Sequence, residues 1–266
     1  MKITRIILCL MVFAFFTAPV MGAEPAVKAD GALLMDAKTG NVLWEKAGRE
    51  PMAPASLIKL LNVITAWPYI LPEEEITVGP AVKSIYNGQL LNLQEGDVIT
   101  AENLLHGILL WSANDGAVAL ADYLAGDQAL YAALMDTKAW ALGALHTKSI
   151  NVNGYSDKDQ FSTAYDLAVI AARFMEEAEL AAIVATDEYE VHWVSREDTL
   201  AIWNTNKMIE SYSGCNGIKT GTTSMAGKCL IASALREGRQ LIAVVLNSSD
   251  RYGDAKAMLD WGFVQN

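Results

Sequence analysis

Histidine is scarce in this chain of 266 residues, which contains only His106, His146 and His192. The three are scattered along the sequence, without the spacing of metal ligands and without a clear serine partner. We therefore assign them to core or surface positions rather than to catalysis. We expect no metal ion and no other cofactor in this protein.

Basic residues are also few, because 20 lysines and arginines face 31 aspartates and glutamates, for a net charge of −11. Such an acidic protein is a poor candidate for binding nucleic acid or an anionic membrane surface. The composition is 52% hydrophobic and 19% charged, which excludes extensive disorder. The length suffices for one sizeable core or two closely packed subdomains.

Cysteine is limited to Cys9, Cys215 and Cys229. Cys9 lies in an N-terminal segment that we expect to be removed, which leaves two cysteines. In an exported protein this pair could form a disulfide that contributes about 3 kcal/mol to stability. Two free buried thiols are an equally good interpretation.

The N-terminus has the pattern of a secretory signal peptide. A basic start over residues 1–5 precedes an apolar run over residues 6–16, and Pro19 to Ala23 supply a helix break and small residues. We predict a signal peptide over residues 1–23, a leader over 24–30, and export to the periplasm or another extracytoplasmic cell-wall space without a stable membrane anchor after cleavage. An uncleaved anchor is the alternative, since residues 6–23 are just long enough to span a bilayer.

The feature that most directly indicates chemistry is Ser56 followed by Lys59, in the sequence PASLIKLL over residues 54–61. If a helix begins near Ser56, the i,i+3 spacing places hydroxyl and amine on one face. A helix N-terminus offers N–H groups worth about 3 kcal/mol each to a developing oxyanion. Apolar neighbours and a second cation would lower the pKa of Lys59 so that its amine accepts a proton. We interpret the pair as a serine nucleophile and its base.

The hydrophobic pattern predicts an α+β fold whose antiparallel sheet is assembled from both chain ends. Strands are expected at 31–36, 41–45, 189–194, 217–221, 229–235 and 241–246. Residues from about 60 to 185 are expected to form a mostly helical inserted subdomain. Its helices are predicted at 56–67, 100–109, 117–124, 127–142 and 163–182, and an amphipathic helix closes the chain.

Two further motifs stand in a fixed order after the first. Ser112-Ala113-Asn114 occupies a polar turn between two apolar helices, and Lys219-Thr220-Gly221 lies on a strand. A lysine and a hydroxyl beside a glycine suit a substrate carboxylate. The set Ser-x-x-Lys, Ser-x-Asn, Lys-Thr-Gly is typical of penicillin-binding proteins and class A β-lactamases. A second Lys-Thr-Gly at 38–40 and a second Ser-x-Asn at 149–151 are assigned to structure, because neither has the expected surroundings.

Residues 32–59, 111–124 and 203–230, which carry these motifs, resemble the D-alanyl-D-alanine carboxypeptidases of the S11 serine peptidases, the low-molecular-weight penicillin-binding proteins. The resemblance extends from about residue 30 to 264. It implies a β-lactamase/transpeptidase-like fold, with an antiparallel sheet flanked by helices and the site between the sheet and the helical subdomain. A catalytic domain over residues 31–264, without a second C-terminal domain, is the expected organisation.

The resemblance also implies the site residues. Ser56 would be the acylated nucleophile, Lys59 its proton acceptor, and Ser112 a relay of the proton to the leaving amine. The implied substrate-binding residues are Asn114, Lys219, Thr220, Gly221 and Thr222. Backbone N–H groups of Ser56 and Thr222 would form the oxyanion hole. Ile58 departs from the threonine that the family usually has before the lysine.

The implied function is removal of the terminal D-Ala from peptidoglycan stem pentapeptides through an acyl-enzyme, with β-lactams as mimics of the substrate. A class A-like β-lactamase is one alternative, but it needs a Glu-x-x-Leu-Asn loop, and the sequence from Glu197 to Leu200 lacks the asparagine. A silent module that binds peptidoglycan or β-lactams is another. The complete motif set disfavours it, because such a module has no use for Lys59 and Ser112.

Overall fold

The computed structural model describes residues 23–265. The signal peptide expected over residues 1–23 lies outside this range except for its last residue, and it stays a prediction. The strands are β1 (Gly31–Asp36), β2 (Val42–Lys46), β3 (Glu75–Thr77), β4 (Val98–Thr100), β5 (Glu188–His192), β6 (Thr199–Trp203), β7 (Cys215–Thr223), β8 (Gly227–Arg236) and β9 (Arg239–Leu246). The helices are α1 (Lys59–Ala66), α2 (Ala101–His106), α3 (Asn114–Ala125), α4 (Gln128–Leu142), α5 (Ala164–Glu176), α6 (Ala178–Ala185), α7 (Met208–Ser211) and α8 (Arg251–Val264).

Five strands form the main sheet in the order β2-β1-β9-β8-β7, and every neighbouring pair is antiparallel. Strand β1 pairs with β9 from Gly31 opposite Leu246 to Asp36 opposite Leu241. The prediction of an α+β fold with a sheet built from both chain ends is therefore confirmed. Strand β7 lies at one edge of the sheet.

Both faces of the sheet are covered, as the alternation along β9 shows. Ile242, Val244 and Leu246 belong to the core shared with the helical region, whereas Leu241 and Val245 face the core that α8 covers. Successive side chains of a strand point to opposite faces, so a wholly apolar strand requires a layer on each side. The sheet is the middle layer, with α8 and α7 on one face and helices α1 to α6 on the other.

The helical region departs from the predicted pattern in two places. The helix expected over 163–182 is two helices, α5 and α6, because Glu177 adopts an extended conformation with φ −82° and ψ 104°. Strand β6 was not predicted, and it forms a small hairpin with β5. Of the helices in residues 23–265, none combines the length and the hydropathy needed to cross a bilayer.

Cys215 and Cys229 are free thiols. Cys215 on β7 pairs with Ala234 on β8, whereas Cys229 on β8 pairs with Gly221 on β7. The two cysteines are therefore offset by about 17 Å along the strands, and a disulfide needs Cα atoms within about 7 Å. Of the two alternatives left by the sequence, the disulfide is wrong; both thiols are free, but only Cys229 is buried as expected, whereas Cys215 is partly exposed.

Candidate active site

Ser56, the predicted nucleophile, lies in a tight turn rather than in an α-helix. Residues Ala55–Ile58 form a 3₁₀ turn, and the α-helix begins only at Lys59. In a 3₁₀ turn the side chains at i and i+3 eclipse each other, so Lys59 Nζ lies 2.9 Å from Ser56 Oγ. The predicted pairing of Ser56 with Lys59 is present, although the predicted helix start was wrong by one turn.

The hydrogen bonds of Lys59 fix the direction of its lone pair. Nζ donates to Asn114 Oδ1 at 2.7 Å and to the carbonyl oxygen of Asn153 at 2.6 Å. The orientation of the Asn114 amide follows from its Nδ2, which donates to the carbonyl of Asn87 at 2.7 Å. Both partners of Lys59 are acceptors only at these atoms, so they take the two N–H bonds of a neutral amine. The lone pair is then left for the hydroxyl proton of Ser56.

The surroundings of Lys59 favour this neutral amine. Lys59 is fully buried, as are Leu57, Ile58, Leu60 and Leu61 around it. Burial, together with the nearby Lys219 ammonium, holds the pKa of Lys59 well below its ordinary value of 10.5, and Asp115 opposes the shift. The expected combination of a dry pocket and a second cation is thus present.

The Ser112 turn is produced by an irregular helix end. Helix α2 widens into a π-helical segment, Gly107–Trp111, and Ser112 then adopts a left-handed conformation with φ 67°. Such conformations are uncommon for residues other than glycine and cluster at functional sites. Asn114, which the sequence placed in a turn, is the first residue of α3. The turn directs Ser112 and Asn114 into one cleft with Ser56.

A buried cation lies at the other end of the site. Lys219 on β7 is fully buried, and burial with the neighbouring Arg251 guanidinium lowers its pKa to about 7. Thr220 Oγ1 donates to Thr205 Oγ1 at 2.6 Å. Arg251 Nη1 donates to the Gly221 carbonyl at 3.1 Å and to Thr222 Oγ1 at 3.0 Å. Two basic groups and three hydroxyl groups from different parts of the chain therefore lie close together at this end of the site, a combination that suits an anion.

Two glycines enclose the nucleophile turn. A Cβ atom on Gly154 would lie 2.1 Å from the Ala55 carbonyl oxygen, and Gly154 has φ +84°. A Cβ atom on Gly221 would lie 3.1 Å from the Ser56 nitrogen. Ala55 itself has φ 49°, a left-handed conformation that costs about 1 kcal/mol for a residue with a Cβ atom. Close backbone packing from both sides stabilises this turn.

A cleft of about 250 Å³ brings together four of the predicted site residues, Ser56, Ser112, Asn114 and Thr222, whereas Lys59, Lys219, Thr220 and Gly221 lie behind its lining. Its lining residues are Ser56, Gly88, Gln89, Ser112, Asn114, Gly154, Tyr155, Ser156, Thr222, Thr223 and Ser224. None of them is acidic. The cleft thus offers a nucleophile and hydrogen-bonding groups, but no carboxylate to act as a base.

The family model of the S11 peptidases, described as D-alanyl-D-alanine carboxypeptidase, matches residues 18–250. The chain belongs to this family. The resemblance inferred from the three motifs is confirmed.

Curated relatives of this S11 peptidase include two carboxypeptidases. D-alanyl-D-alanine carboxypeptidase DacF of Bacillus subtilis is 32% identical over 253 residues, which cover 91% of this chain and 64% of that protein. DacC of Escherichia coli is 32% identical over 274 residues, covering 94% of this chain and 66% of that protein. The chain therefore spans just under two thirds of the length of these relatives.

The similarity to solved structures covers a larger fraction of their chains. The Streptomyces K15 DD-transpeptidase superposes with a TM-score of 0.87 at 28% identity, covering 92% of this chain and all of that one. A D-alanyl-D-alanine carboxypeptidase from Mycobacterium tuberculosis gives a TM-score of 0.86 at 30% identity, covering 93% and 96%. The predicted fold class is supported by both.

Sequence reasoning missed several residues of this S11 peptidase site. The carbonyl of Asn153 contacts Lys59, Thr205 contacts Thr220, and Arg251 contacts the backbone of β7. Asn153 contributes a backbone atom there, which no residue type can signal. Asn151, set aside as structural, organises the same loop by accepting from the Gly154 N–H at 2.8 Å. Within residues 23–265, no group of three side chains could hold a metal ion.

Proposed function

We propose that this protein is a serine-type D-Ala-D-Ala carboxypeptidase that removes the terminal D-Ala from peptidoglycan stem pentapeptides. The observation that carries the proposal is the 2.9 Å contact of Ser56 Oγ with Nζ of the buried Lys59, which also binds Asn114 Oδ1 and the Asn153 carbonyl. This geometry prepares the serine hydroxyl for deprotonation. The motif set, the family membership and the activities for which the relatives are named support the same activity.

Acylation would use the residues as follows. Lys59 accepts the Ser56 proton while Oγ attacks the carbonyl of the penultimate D-Ala. The backbone N–H groups of Ser56 and Thr222 stabilise the oxyanion, each by about 3 kcal/mol. Ser112 passes the proton to the amine of the departing D-Ala. Water then hydrolyses the acyl-enzyme and releases the shortened peptide.

Specificity for a C-terminal residue would come from the cationic end of the cleft. Lys219 supplies the charge for the terminal carboxylate, and Thr220 supplies a hydrogen bond. Arg251, which binds the Gly221 carbonyl and Thr222 Oγ1 on β7, reinforces the positive potential there. Gly221 lets the substrate backbone approach the strand edge. A β-lactam carries the same carboxylate and reactive amide, and would acylate Ser56.

The β-lactamase alternative is less well supported. A class A enzyme deacylates through a glutamate that activates water, and no acidic residue lines this cleft. Slow hydrolysis of the penicilloyl enzyme is therefore expected. The silent-module alternative is disfavoured by the unusual pKa of Lys59, because a binding module gains nothing from a buried amine.

The place of action would be outside the cytoplasm. The predicted signal peptide and the peptidoglycan substrate both support export to the periplasm or the cell-wall space. The acidic charge gives no reason to expect nucleic acid as a partner.

The decisive experiment measures intact mass after incubation with benzylpenicillin, followed by an assay of D-Ala release from an acyl-D-Ala-D-Ala peptide. Wild type and Ser213→Ala, an exposed serine elsewhere, should both gain one penicilloyl group and release D-Ala. Ser56→Ala should do neither. Release of D-Ala by Ser56→Ala would show that the nucleophile is another residue, and rapid steady consumption of the drug would favour a β-lactamase.

A further inference from the structure

The carbonyl oxygen of Asn153, which accepts from Lys59 Nζ at 2.6 Å, lies in a segment without regular secondary structure. We call this segment, residues 149–160, the Asn153 loop. Its two ends are joined by the backbone pairing of Lys148 with Phe161, through N–H···O bonds of 2.8 and 3.2 Å. The position of this partner of Lys59 therefore depends on what gives the Asn153 loop its shape.

Backbone hydrogen bonds do not supply that shape. Within residues 149–156, all of which the structure describes, no backbone N–H donates to a backbone carbonyl. The N–H groups of Ile150, Asn151, Gly154 and Tyr155 bind side-chain oxygens instead. Because backbone N–H groups that are removed from water need partners, the side-chain acceptors determine the path of the loop.

Gln160 is the acceptor that binds two of these N–H groups with one atom. It is 3% exposed, and its Oε1 accepts from Ile150 and from Asn151, both at 3.0 Å. Because these partners can only donate, Oε1 must face them and Nε2 lies on the other side of the amide. Nε2 is 3.4 Å from Asn151 Oδ1 and from the Tyr155 carbonyl oxygen. Gln160 thus connects the last residue of the Asn153 loop to both sides of its turn.

The position of Asn151 in turn determines that of the Asn153 carbonyl. Asn151 Oδ1 accepts from the N–H groups of Gly154 at 2.8 Å and Tyr155 at 3.1 Å, and so closes a turn around Asn153. A displacement of Asn151 would therefore also move the carbonyl that accepts from Lys59.

Asn62 gives the Asn153 loop a second anchor. Its Nδ2 donates to the Val152 carbonyl at 2.9 Å, which fixes the position of the loop relative to α1. A single hydrogen bond leaves the chain free to rotate about it. The two bonds that Gln160 makes just before Val152 remove that freedom and leave one direction for the next carbonyl, that of Asn153.

We propose that Gln160 is a positioning residue, which holds the Asn153 carbonyl against Lys59 through the two N–H groups that it binds. This inference rests on the proposed carboxypeptidase function. The Asn153 carbonyl takes one N–H of the neutral amine, so that the amine lone pair faces the Ser56 hydroxyl. A displaced carbonyl would leave the amine without a fixed orientation. Since this orientation matters for proton transfer and not for substrate binding, Gln160 should affect kcat rather than KM.

The test compares kcat and KM for D-Ala release from an acyl-D-Ala-D-Ala peptide in the wild type, Gln160→Met and Gln240→Met. Methionine keeps the length and the unbranched shape of glutamine but offers only a weak acceptor. Gln160→Met should lower kcat by about tenfold and change KM by less than about twofold. Gln240 Nε2 donates to Ser233 Oγ within the sheet at 2.9 Å. Gln240→Met therefore removes a glutamine hydrogen bond outside the loop and should leave kcat and KM unchanged.

Gln160→Glu provides a readout that a loss of stability would not reproduce. A protonated carboxyl group has an acceptor oxygen and a donor, as the glutamine amide does, whereas a carboxylate places a second acceptor against the Tyr155 carbonyl. The kcat of Gln160→Glu relative to the wild type should therefore rise toward one as the pH is lowered, and burial raises the pKa at which this occurs. Circular dichroism at each pH shows whether the variant is folded.

The other outcomes separate the positioning role from the underlying function. A wild-type kcat in Gln160→Met would overturn the positioning role. An increase in KM with kcat unchanged would also overturn it, because the loop would then shape the substrate cleft rather than orient Lys59. A ratio for Gln160→Glu that does not depend on pH would contradict the hydrogen-bonding argument. Absence of D-Ala release and of a penicillin adduct in the wild type would instead refute the carboxypeptidase function.

Discussion

Gly221 on β7 lies so close to Ser56 that a Cβ atom on the glycine would be 3.1 Å from the backbone nitrogen of the serine. Strand β7, which is proposed to bind the substrate, and the turn that carries the proposed nucleophile Ser56 are thus in close backbone contact. The oxyanion hole proposed between them depends on this distance, since its two N–H groups come from the two segments.

Gly221→Ala should therefore lower the rate of acylation strongly, with a smaller effect on the stability of the fold. The new methyl group would meet Ala55 Cβ at 3.0 Å and push the strand away from the turn. Partial loss of one oxyanion donor should lower the second-order rate of penicillin acylation by about ten- to a hundredfold, which stopped-flow or quenched mass measurements can follow. Gly126→Ala, at the end of α3 with open space around its Cβ, should lower the thermal midpoint slightly and leave acylation unchanged.

The pH dependence of kcat/KM should have an alkaline limb set by Lys219. The Lys219 amine is charged below its pKa of about 7 and neutral above it, so the free enzyme loses its carboxylate-binding charge as pH rises. We expect kcat/KM to fall about tenfold per pH unit above this value. Arginine stays protonated throughout, so Lys219→Arg should lack this limb even if its maximal activity is lower. A limb retained in Lys219→Arg would assign it to another group.

Replacement of Arg251 should have two separate effects, a shift of the alkaline limb of kcat/KM to higher pH and weaker binding of the substrate. Because the Arg251 guanidinium depresses the pKa of Lys219, Arg251→Gln should shift the limb to higher pH. The variant also loses the hydrogen bonds to the Gly221 carbonyl and Thr222 Oγ1, so KM should rise about tenfold. Profiles of kcat/KM against pH for wild type and variant separate the two effects. Arg173→Gln, paired with Glu176 on the surface, is the control.

Asn62 should contribute more to stability than its neighbour Thr65. Asn62 Nδ2 donates to the carbonyls of Ala117 at 3.1 Å and Val152 at 2.9 Å, and so joins α1 to α3 and to the loop that reaches Lys59. Asn62→Leu should lower the free energy of unfolding in urea by about 2 kcal/mol. Thr65 Oγ1 bonds only to the Leu61 carbonyl of its own helix, and Thr65→Val should cost less than about 1 kcal/mol. Equal losses would contradict the role given to Asn62.

The thiols of Cys215 and Cys229 should react with an alkylating agent without prior reduction. In denaturant without reductant, iodoacetamide should add two carbamidomethyl groups to the chain after removal of its N-terminal segment, at Cys215 and Cys229. In the native protein Cys229 should react slowly, because it is buried and burial raises the pKa of its thiol to about 11. Alkylation that requires prior reduction would show that a disulfide forms after all.

Side-chain chemistry made most of the site predictable from the sequence. Ser56, Lys59 and Lys219 act through groups that few other residues possess, and their order along the chain is specific. The sheet was predictable because apolar alternation and glycine turns mark β1, β8 and β9. The sequence could therefore locate those site residues whose side-chain groups are specific to their residue type.

The remaining contacts depend on backbone placement. Asn153 reaches Lys59 through its carbonyl, and Gly154 matters only because Ala55 lies against it. Arg251 is the first residue of α8, and nothing in the sequence indicates that its side chain binds the carbonyls of Gly221 and Cys229. No proline or glycine near Glu177 indicates the break between α5 and α6. These features follow from tertiary packing, which local patterns do not contain.

The pairing of β1 with β9 has a consequence for when activity can arise. Gly31 pairs with Leu246 across the sheet, so the strand that leads to Ser56 is completed only after the whole helical region and strands β7 and β8 have been synthesised. Contacts so distant in sequence make folding slow, because the whole intervening chain must first be ordered. A chain that is translated only as far as the helical region therefore carries Ser56 and Lys59 without the strand that is proposed to bind substrate. Reactivity toward D-Ala peptides and penicillin should appear in one late step, when β1 and β9 pair.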